Sequence, residues 1–149
     1  MSLSTNRLMT LKALIAGSVA CSVTPAFATI SQELDALHDA RNVRPRLRRS
    51  LLEIVHASRA LESCLRVINQ HYGCSQSARA LGQYLVALRD HAHATLGKLR
   101  EHHRSRFQQS IVRRRNRYLH EAGSYPTTQE VDHLLAETQD CLVTVLGLE

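Results

Sequence analysis

The chain has 149 residues, enough for one domain with a hydrophobic core, and 44% of them are apolar, which excludes a disordered polar chain. It contains no tryptophan, three prolines and six glycines, a composition that favours long helices over a turn-rich β-sandwich. The formal net charge is +6, and arginine outnumbers lysine 17 to 2.

The positive charge is concentrated in one part of the chain. Residues 41–117 hold 16 arginines and one lysine against four acidic residues, whereas residues 118–149 hold six acidic residues and no Lys or Arg. Because guanidinium groups bind phosphate oxygens in pairs, a polyanionic partner such as RNA explains this pattern. A GC-rich genome that encodes its surface cations as arginine is the alternative.

The first 28 residues have the pattern of a secretory signal peptide. A basic start precedes an apolar run over residues 13–23, and Ala26 and Ala28 have the small side chains that a cleavage site requires. The run is too short to cross a bilayer, so we expect no integral membrane span. An ordinary extra helix fits the same residues, as does an extension ahead of a start at Met9. On each interpretation, residues 29–149 form a single helical domain.

Helical signals begin directly after this segment. Thr29-Ile30-Ser31-Gln32 has the form of a capping box and predicts the start of a short helix that ends before Pro45. A long helix is expected from Pro45 to Tyr72, with Gly73 as its C-terminal stop.

Three more helices are predicted in the second half. Ser75 can cap a helix with an apolar stripe that continues to Leu99. A further helix carries Phe107, Ile111 and Tyr118, and a capping box at Thr127 starts the last one. No segment alternates in the manner of a strand, so the sequence predicts an all-α fold, an antiparallel bundle of four to five helices.

The cysteines and histidines do not form a metal-binding pattern. The four cysteines include no C-x-x-C pair, and no two of the nine histidines are three or four residues apart on one helical face. We therefore expect no metal site and no cofactor. Cys64 and Cys141 occupy helical positions where a buried apolar role is expected.

Residues 115–120, Arg-Asn-Arg-Tyr-Leu-His, combine a permanent cation with the side chain that titrates near neutral pH. Arg115 and Asn116, three further residues and His120 resemble the R-N-x-x-x-H signature of HEPN domains, which are compact helical domains. Many HEPN domains are metal-independent ribonucleases of the toxin or phage-defence type. The resemblance is close over the motif helix and loose over the surrounding bundle, about residues 30–146.

The resemblance implies a catalytic role for three residues. His120 would act as general base or acid, Arg115 would clamp the phosphate, and Asn116 would orient the imidazole or bind a phosphate oxygen. An RNA-binding surface would extend over Arg113, Arg114, Arg117 and Tyr118. Tyr118 fits a core position equally well.

The geometry of a helix separates Arg115 from His120, so a single active site needs either the long arginine side chain to curl round the helix or a second subunit to complete the site. At ~3.6 residues per turn, Arg115 and His120 point about 140° apart. HEPN ribonucleases commonly dimerise so that two motifs line one cleft, and the resemblance therefore implies a homodimer. Toxin members can carry a tyrosine two positions after the histidine as a target for a nucleotidyltransferase antitoxin. That position is Ala122, so this form of control is not indicated, while another antitoxin or regulatory partner stays open.

Three functions fit the sequence. The first is an endoribonuclease acting on single-stranded RNA in the cytoplasm. The second is a non-catalytic HEPN-like module that binds RNA, a nucleotide or a protein. The third is an exported helical protein that binds anionic surfaces, which applies if residues 1–28 act as a signal peptide.

Overall fold

A computed structural model describes residues 3–22, 25–91 and 99–147, with side chains from Asn6 onward. These residues form an all-α bundle, as the sequence predicts. The α-helices are α1 (Leu3–Gly17), α2 (Val19–Ser22), α3 (Ala26–Asp39), α4 (Arg46–Tyr72), α5 (Leu81–Asp90), α6 (Glu101–Phe107), α7 (Arg114–His120) and α8 (Thr128–Leu146). A 3-10 helix, Ala40–Asn42, follows α3, and a π-helix, Gln108–Arg113, joins α6 to α7.

The long helix α4 is the centre of the bundle. It begins after Pro45 and ends at Gly73, whose φ of 65° lies in the left-handed region that glycine adopts readily. Both ends are where the sequence predicts them. Ile54, Leu61 and Ile68 are almost fully buried, and α4 contacts α3, α5, α7 and α8. The other helices are thus positioned around α4.

The N-terminal helix α1 packs into the same core as the rest of the bundle. It contacts α8 and α3, and its side chains Leu8, Leu11 and Ile15 belong to the main hydrophobic cluster. The Arg7 guanidinium also donates a hydrogen bond to the Gln139 carboxamide, 3.0 Å away. Helix α1 therefore packs as an integral part of the bundle, and removal of the N-terminal segment as a signal peptide stays a prediction.

Two of the predicted helix starts are wrong. Helix α3 begins at Ala26, so the capping-box sequence that starts at Thr29 lies inside the helix. Helix α5 begins at Leu81, and Ser75 lies in the preceding turn, where its hydroxyl bonds that of Ser77. The predicted continuation of this helix towards Leu99 crosses residues 92–98, which lie outside the described part. The capping box at Thr127 is confirmed.

The core also contains three of the four cysteines. Cys21, Cys64 and Cys141 are buried, and all four cysteines are free thiols. Burial raises the pKa of the Cys141 thiol well above its usual range, which keeps it protonated. The buried role predicted for Cys64 and Cys141 is confirmed. Across the described residues, no helix combines the length and the apolar character needed to cross a membrane.

Candidate functional site

The predicted motif lies on a helix built from α6, the π-helix and α7, which we call the motif helix (residues 101–120). It packs antiparallel to α8: Arg106 near its start bonds Glu137 and Asp140, and Tyr118 near its end bonds Glu130. The π-helix in its middle widens the backbone turn. Such turns are rare and occur frequently at functional sites.

The Arg115 side chain is held against α4 rather than extended into solvent. Its Nη1 donates to Glu62 Oε2 at 3.0 Å, and its Nε and Nη2 each donate to Asn116 Oδ1 at 3.2 Å. The side chain is 14% exposed. Within the described residues these contacts use three of the five guanidinium N–H groups and leave two for a ligand.

Arg115 and Asn116 line a cleft of about 950 Å³ between α5 and the motif helix. This volume is at the upper end of the range typical of small-molecule sites. The remaining lining residues come from the turn before α5, from α5 and its end, and from the π-helix: Cys74, Ser75, Ser77, Ala78, Ala80, Gly82, Gln83, Val86, Ala87, Asp90, His91, Gln108 and Val112.

A glycine brings α5 close to the π-helix at this cleft. A Cβ atom placed on Gly82 would lie 2.8 Å from Gln108 Oε1, closer than two such atoms can approach. Glycine therefore makes room for the Gln108 carboxamide in the wall of the cleft. A larger side chain at position 82 would displace that carboxamide.

His120 lies elsewhere, at the exposed C-terminal end of α7. It is not among the residues lining the cleft, and no described residue forms a hydrogen bond or ion pair with its imidazole. Two large apolar side chains close to it in sequence are also exposed, Leu119 (48%) and Tyr125 (44%). The structure thus brings together Arg115 and Asn116 but leaves the predicted catalytic histidine outside their cleft.

The other predicted RNA-binding residues are divided between surface and core. Arg113 is exposed and donates to Gln109 Oε1, and Arg117 is exposed with an ion pair of 3.7 Å to Glu121. Arg114 is half-buried and contacts His133 Nδ1 at 2.6 Å.

Tyr118 belongs to the core. It is 5% exposed and its hydroxyl donates to the Glu130 carboxylate, so its ring is not accessible for stacking on a base. Burial, followed by the hydrogen bond to Glu130, raises the pKa of the Tyr118 hydroxyl. Of the two roles that the sequence allows for Tyr118, the structure supports the core position.

The histidine that shares the cleft with Arg115 is His91, which sequence reasoning did not select. It follows α5, 24 positions before Arg115, and no local spacing connects the two. Only the packing of α5 on the motif helix brings them to one cavity. Among the described residues, no group of three or more His, Cys, Asp or Glu side chains could hold a metal ion.

Comparison with known proteins gives no further assignment. No protein-family model matches the chain, no curated protein is significantly similar to it, and no solved structure matches it.

Proposed function

We propose that the chain is a metal-independent endoribonuclease that cleaves single-stranded RNA, of the toxin or phage-defence type that the HEPN resemblance implies. The observation that carries this proposal is the position of Arg115 and Asn116 in the wall of a cleft large enough for a nucleotide. The two remaining N–H groups of Arg115 can bind the oxygens of a scissile phosphate, and the Asn116 amide lies beside them.

The proposed reaction is transfer of the phosphate to the neighbouring ribose hydroxyl. The 2′-oxygen attacks phosphorus, a base takes its proton, and an acid protonates the 5′-oxygen as the P–O5′ bond breaks. The products are a 2′,3′-cyclic phosphate and a 5′-hydroxyl. Histidine is suited to the proton transfers near neutral pH, and arginine to the negative charge that develops on the phosphate.

A second copy of the chain would supply His120 to this cleft. The imidazole is exposed at the end of α7, and the apolar side chains of Leu119 and Tyr125 beside it offer a surface that a partner could bury. A two-fold arrangement would place each His120 near the Arg115 of the other copy. We propose in addition that the chain acts on RNA as a dimer and in the cytoplasm.

One observation favours the non-catalytic module as a second candidate. The Glu62 carboxylate is paired with Arg115 at 3.0 Å, which reduces the positive charge available to a phosphate. A cleft of balanced charge is better suited to holding a ligand than to stabilising a dianionic transition state. In this case the same residues would bind RNA or a nucleotide without cleaving it.

The test uses the full chain with labelled single-stranded RNA in EDTA, comparing wild type with Arg115→Ala and His120→Ala. We expect wild type to release 2′,3′-cyclic phosphate ends and His120→Ala to cleave ~10²–10⁴-fold more slowly, because a proton-transfer group is lost. Arg115→Ala should lose cleavage to a comparable degree, because the phosphate loses its clamp.

Matched controls are His102→Ala and Arg104→Ala, which change an exposed histidine and an arginine of the same helix outside the cleft. Both should cleave at the wild-type rate. Cleavage that His120→Ala leaves unchanged would contradict the proposed role. Binding of RNA that depends on Arg115, without any cleavage by wild type, would establish the module instead.

A further inference from the structure

Three carboxamide side chains, Gln83, Gln108 and Asn116, line the cleft. The oxygens of Gln83 and Asn116 accept hydrogen bonds within the protein, and the oxygen of Gln108 lies closer to α5 than its amino group does. Gln83 Oε1 accepts a hydrogen bond of 2.6 Å from the backbone N–H of residue 79, and Asn116 Oδ1 accepts from Arg115. Gln108 Oε1 is directed at Gly82, with its Nε2 an ångström farther from that position.

The amino groups of these carboxamides are therefore the groups left for a ligand. No described residue accepts a hydrogen bond from Gln83 Nε2, Gln108 Nε2 or Asn116 Nδ2. The carboxylate of Asp90, which also lines the cleft, already accepts two hydrogen bonds from Arg89, of 2.9 and 3.3 Å. The carboxamide side chains of the cleft thus offer a ligand hydrogen-bond donors rather than acceptors.

Part of the remaining wall is apolar, and the charged side chains are paired. Val86, Ala87 and Val112 present small aliphatic surfaces on which a flat ring can pack. Arg115 is paired with Glu62, and Asp90 with Arg89, so the charges are largely compensated, and only the two remaining N–H groups of Arg115 are left for the phosphate of the substrate. The chemistry of the cleft is that of a neutral, flat ligand rich in hydrogen-bond acceptors.

We propose that this cleft is a base-specificity pocket that binds a nucleobase with an oxo group at pyrimidine C4 or purine C6, uracil or a 6-oxopurine, and rejects cytosine and adenine, which carry an amino group there. The proposal rests on the proposed RNA substrate. The keto bases present carbonyl oxygens to the amino groups of Gln83, Gln108 and Asn116. Cytosine and adenine present an exocyclic amino group at the corresponding position, where donor would face donor.

The test measures binding of free nucleosides to the wild-type full chain by calorimetric or NMR titration. Uridine is compared with cytidine and inosine with adenosine, because each pair differs mainly by a carbonyl in place of an amino group. We expect the keto member to bind about 5-fold tighter or more, as for one well-placed pair of base contacts. Inorganic phosphate, the probe for anion recognition, should bind at Arg115 beside the carboxamides and should not displace uridine.

Two variants reverse the donor pattern without changing shape. Gln108→Glu and Gln83→Glu each replace an amino group by a carboxylate oxygen, and Gln83 is exposed, so its replacement does not disturb the core. Both should shift the preference from uridine towards cytidine. The matched control Gln109→Glu changes the neighbouring exposed residue, which is not among those lining the cleft, and should retain the preference for uridine.

Equal binding within both nucleoside pairs would overturn the proposal, as would displacement of uridine by phosphate or an unchanged preference in both variants. Nucleosides contain no phosphodiester, so these results do not depend on catalysis. Keto preference without RNA cleavage would retain the pocket and refute the ribonuclease. Cleavage without any base preference would support the ribonuclease and refute the pocket.

Discussion

Glu137 joins the motif helix to α8 from a nearly buried position. It is 6% exposed and accepts hydrogen bonds from Arg106 at 2.6 and 2.8 Å and from Ser110 at 2.8 Å. Breaking a fully buried ion pair costs ~3–5 kcal/mol. Because Arg106 is about half exposed and screened by water, we expect Glu137→Gln to lower the free energy of unfolding by about 2 kcal/mol.

The effect of Glu137→Gln should depend on pH. Burial acts to raise the pKa of Glu137, but the hydrogen bonds from Arg106 and Ser110 outweigh it, so the pKa is lowered. A lowered carboxyl pKa stabilises the fold above the unfolded-state pKa, and this contribution is lost as pH falls through the folded-state pKa. Urea denaturation at neutral pH and in acid should show the difference from wild type shrinking in acid.

The control is Glu101→Gln, which removes a carboxylate that also bonds two arginines but is exposed. It should change the free energy of unfolding much less, because water replaces its contacts. Equal effects of the two substitutions would show that burial of Glu137 does not increase the contribution of its ion pair to the free energy of unfolding.

The local sequence predicts a site at Arg115 and Asn116, which line one cleft, but it does not predict the residues around them. Glu62, which neutralises Arg115, lies 53 positions away, and His91 lines the cleft from the position just after α5. Contacts between residues so far apart in the sequence leave no local pattern from which they could be predicted. Tyr118 could be assigned to the surface or the core from its spacing, and only its burial decided between them.

At the scale of helices, the ends predicted correctly are those set by a local signal. Pro45, Gly73 and Thr127 each end or begin a helix through their own backbone or side chain. The predicted starts of α3 and α5 are wrong because neither helix has a side-chain cap. Packing of the apolar face determines how far each of these helices extends. The π-helix has no sequence signal of this kind.

Helix α7 carries Arg115 and His120 on different faces, and this leads to a test of the composite site. If each site takes Arg115 from one copy and His120 from the other, a mixed dimer of Arg115→Ala and His120→Ala chains has one intact site. Random pairing should then restore about a quarter of the wild-type activity from two inactive proteins. The measurement is cleavage of labelled RNA after the two variants have been mixed and exchanged.

The control for the mixing test is a mixture of His120→Ala with the double variant Arg115→Ala/His120→Ala. No pairing of these chains contains a histidine at position 120, so activity should stay absent. Failure of the first mixture to recover activity, while dimers exchange freely, would show that one chain supplies both residues.

At the scale of the whole molecule, the N-terminal helices α1 and α2 contribute to the hydrophobic core that stabilises the bundle. Leu8, Leu11 and Ile15 from α1 and Cys21 from α2 are all buried in the common core. Each large apolar side chain contributes ~1.5–3 kcal/mol when buried, an upper estimate since unfolded chains also bury some surface. The three on α1 together reach ~4.5–9 kcal/mol, more than half of a typical domain's stability of ~5–15 kcal/mol.

We therefore expect the chain of residues 29–149 alone to be strongly destabilised relative to the full chain. Thermal unfolding followed by circular dichroism should show a large drop in Tm or no cooperative transition, because the sites that α1 covers on α3 and α8 would be open to water. Met9→Ala in the full chain is the control, since this α1 side chain is 58% exposed and its loss should leave Tm nearly unchanged. A shortened chain that unfolds at the temperature of the full chain would instead favour a removable signal peptide. Because the apolar side of α1 forms part of the core, we expect the first outcome.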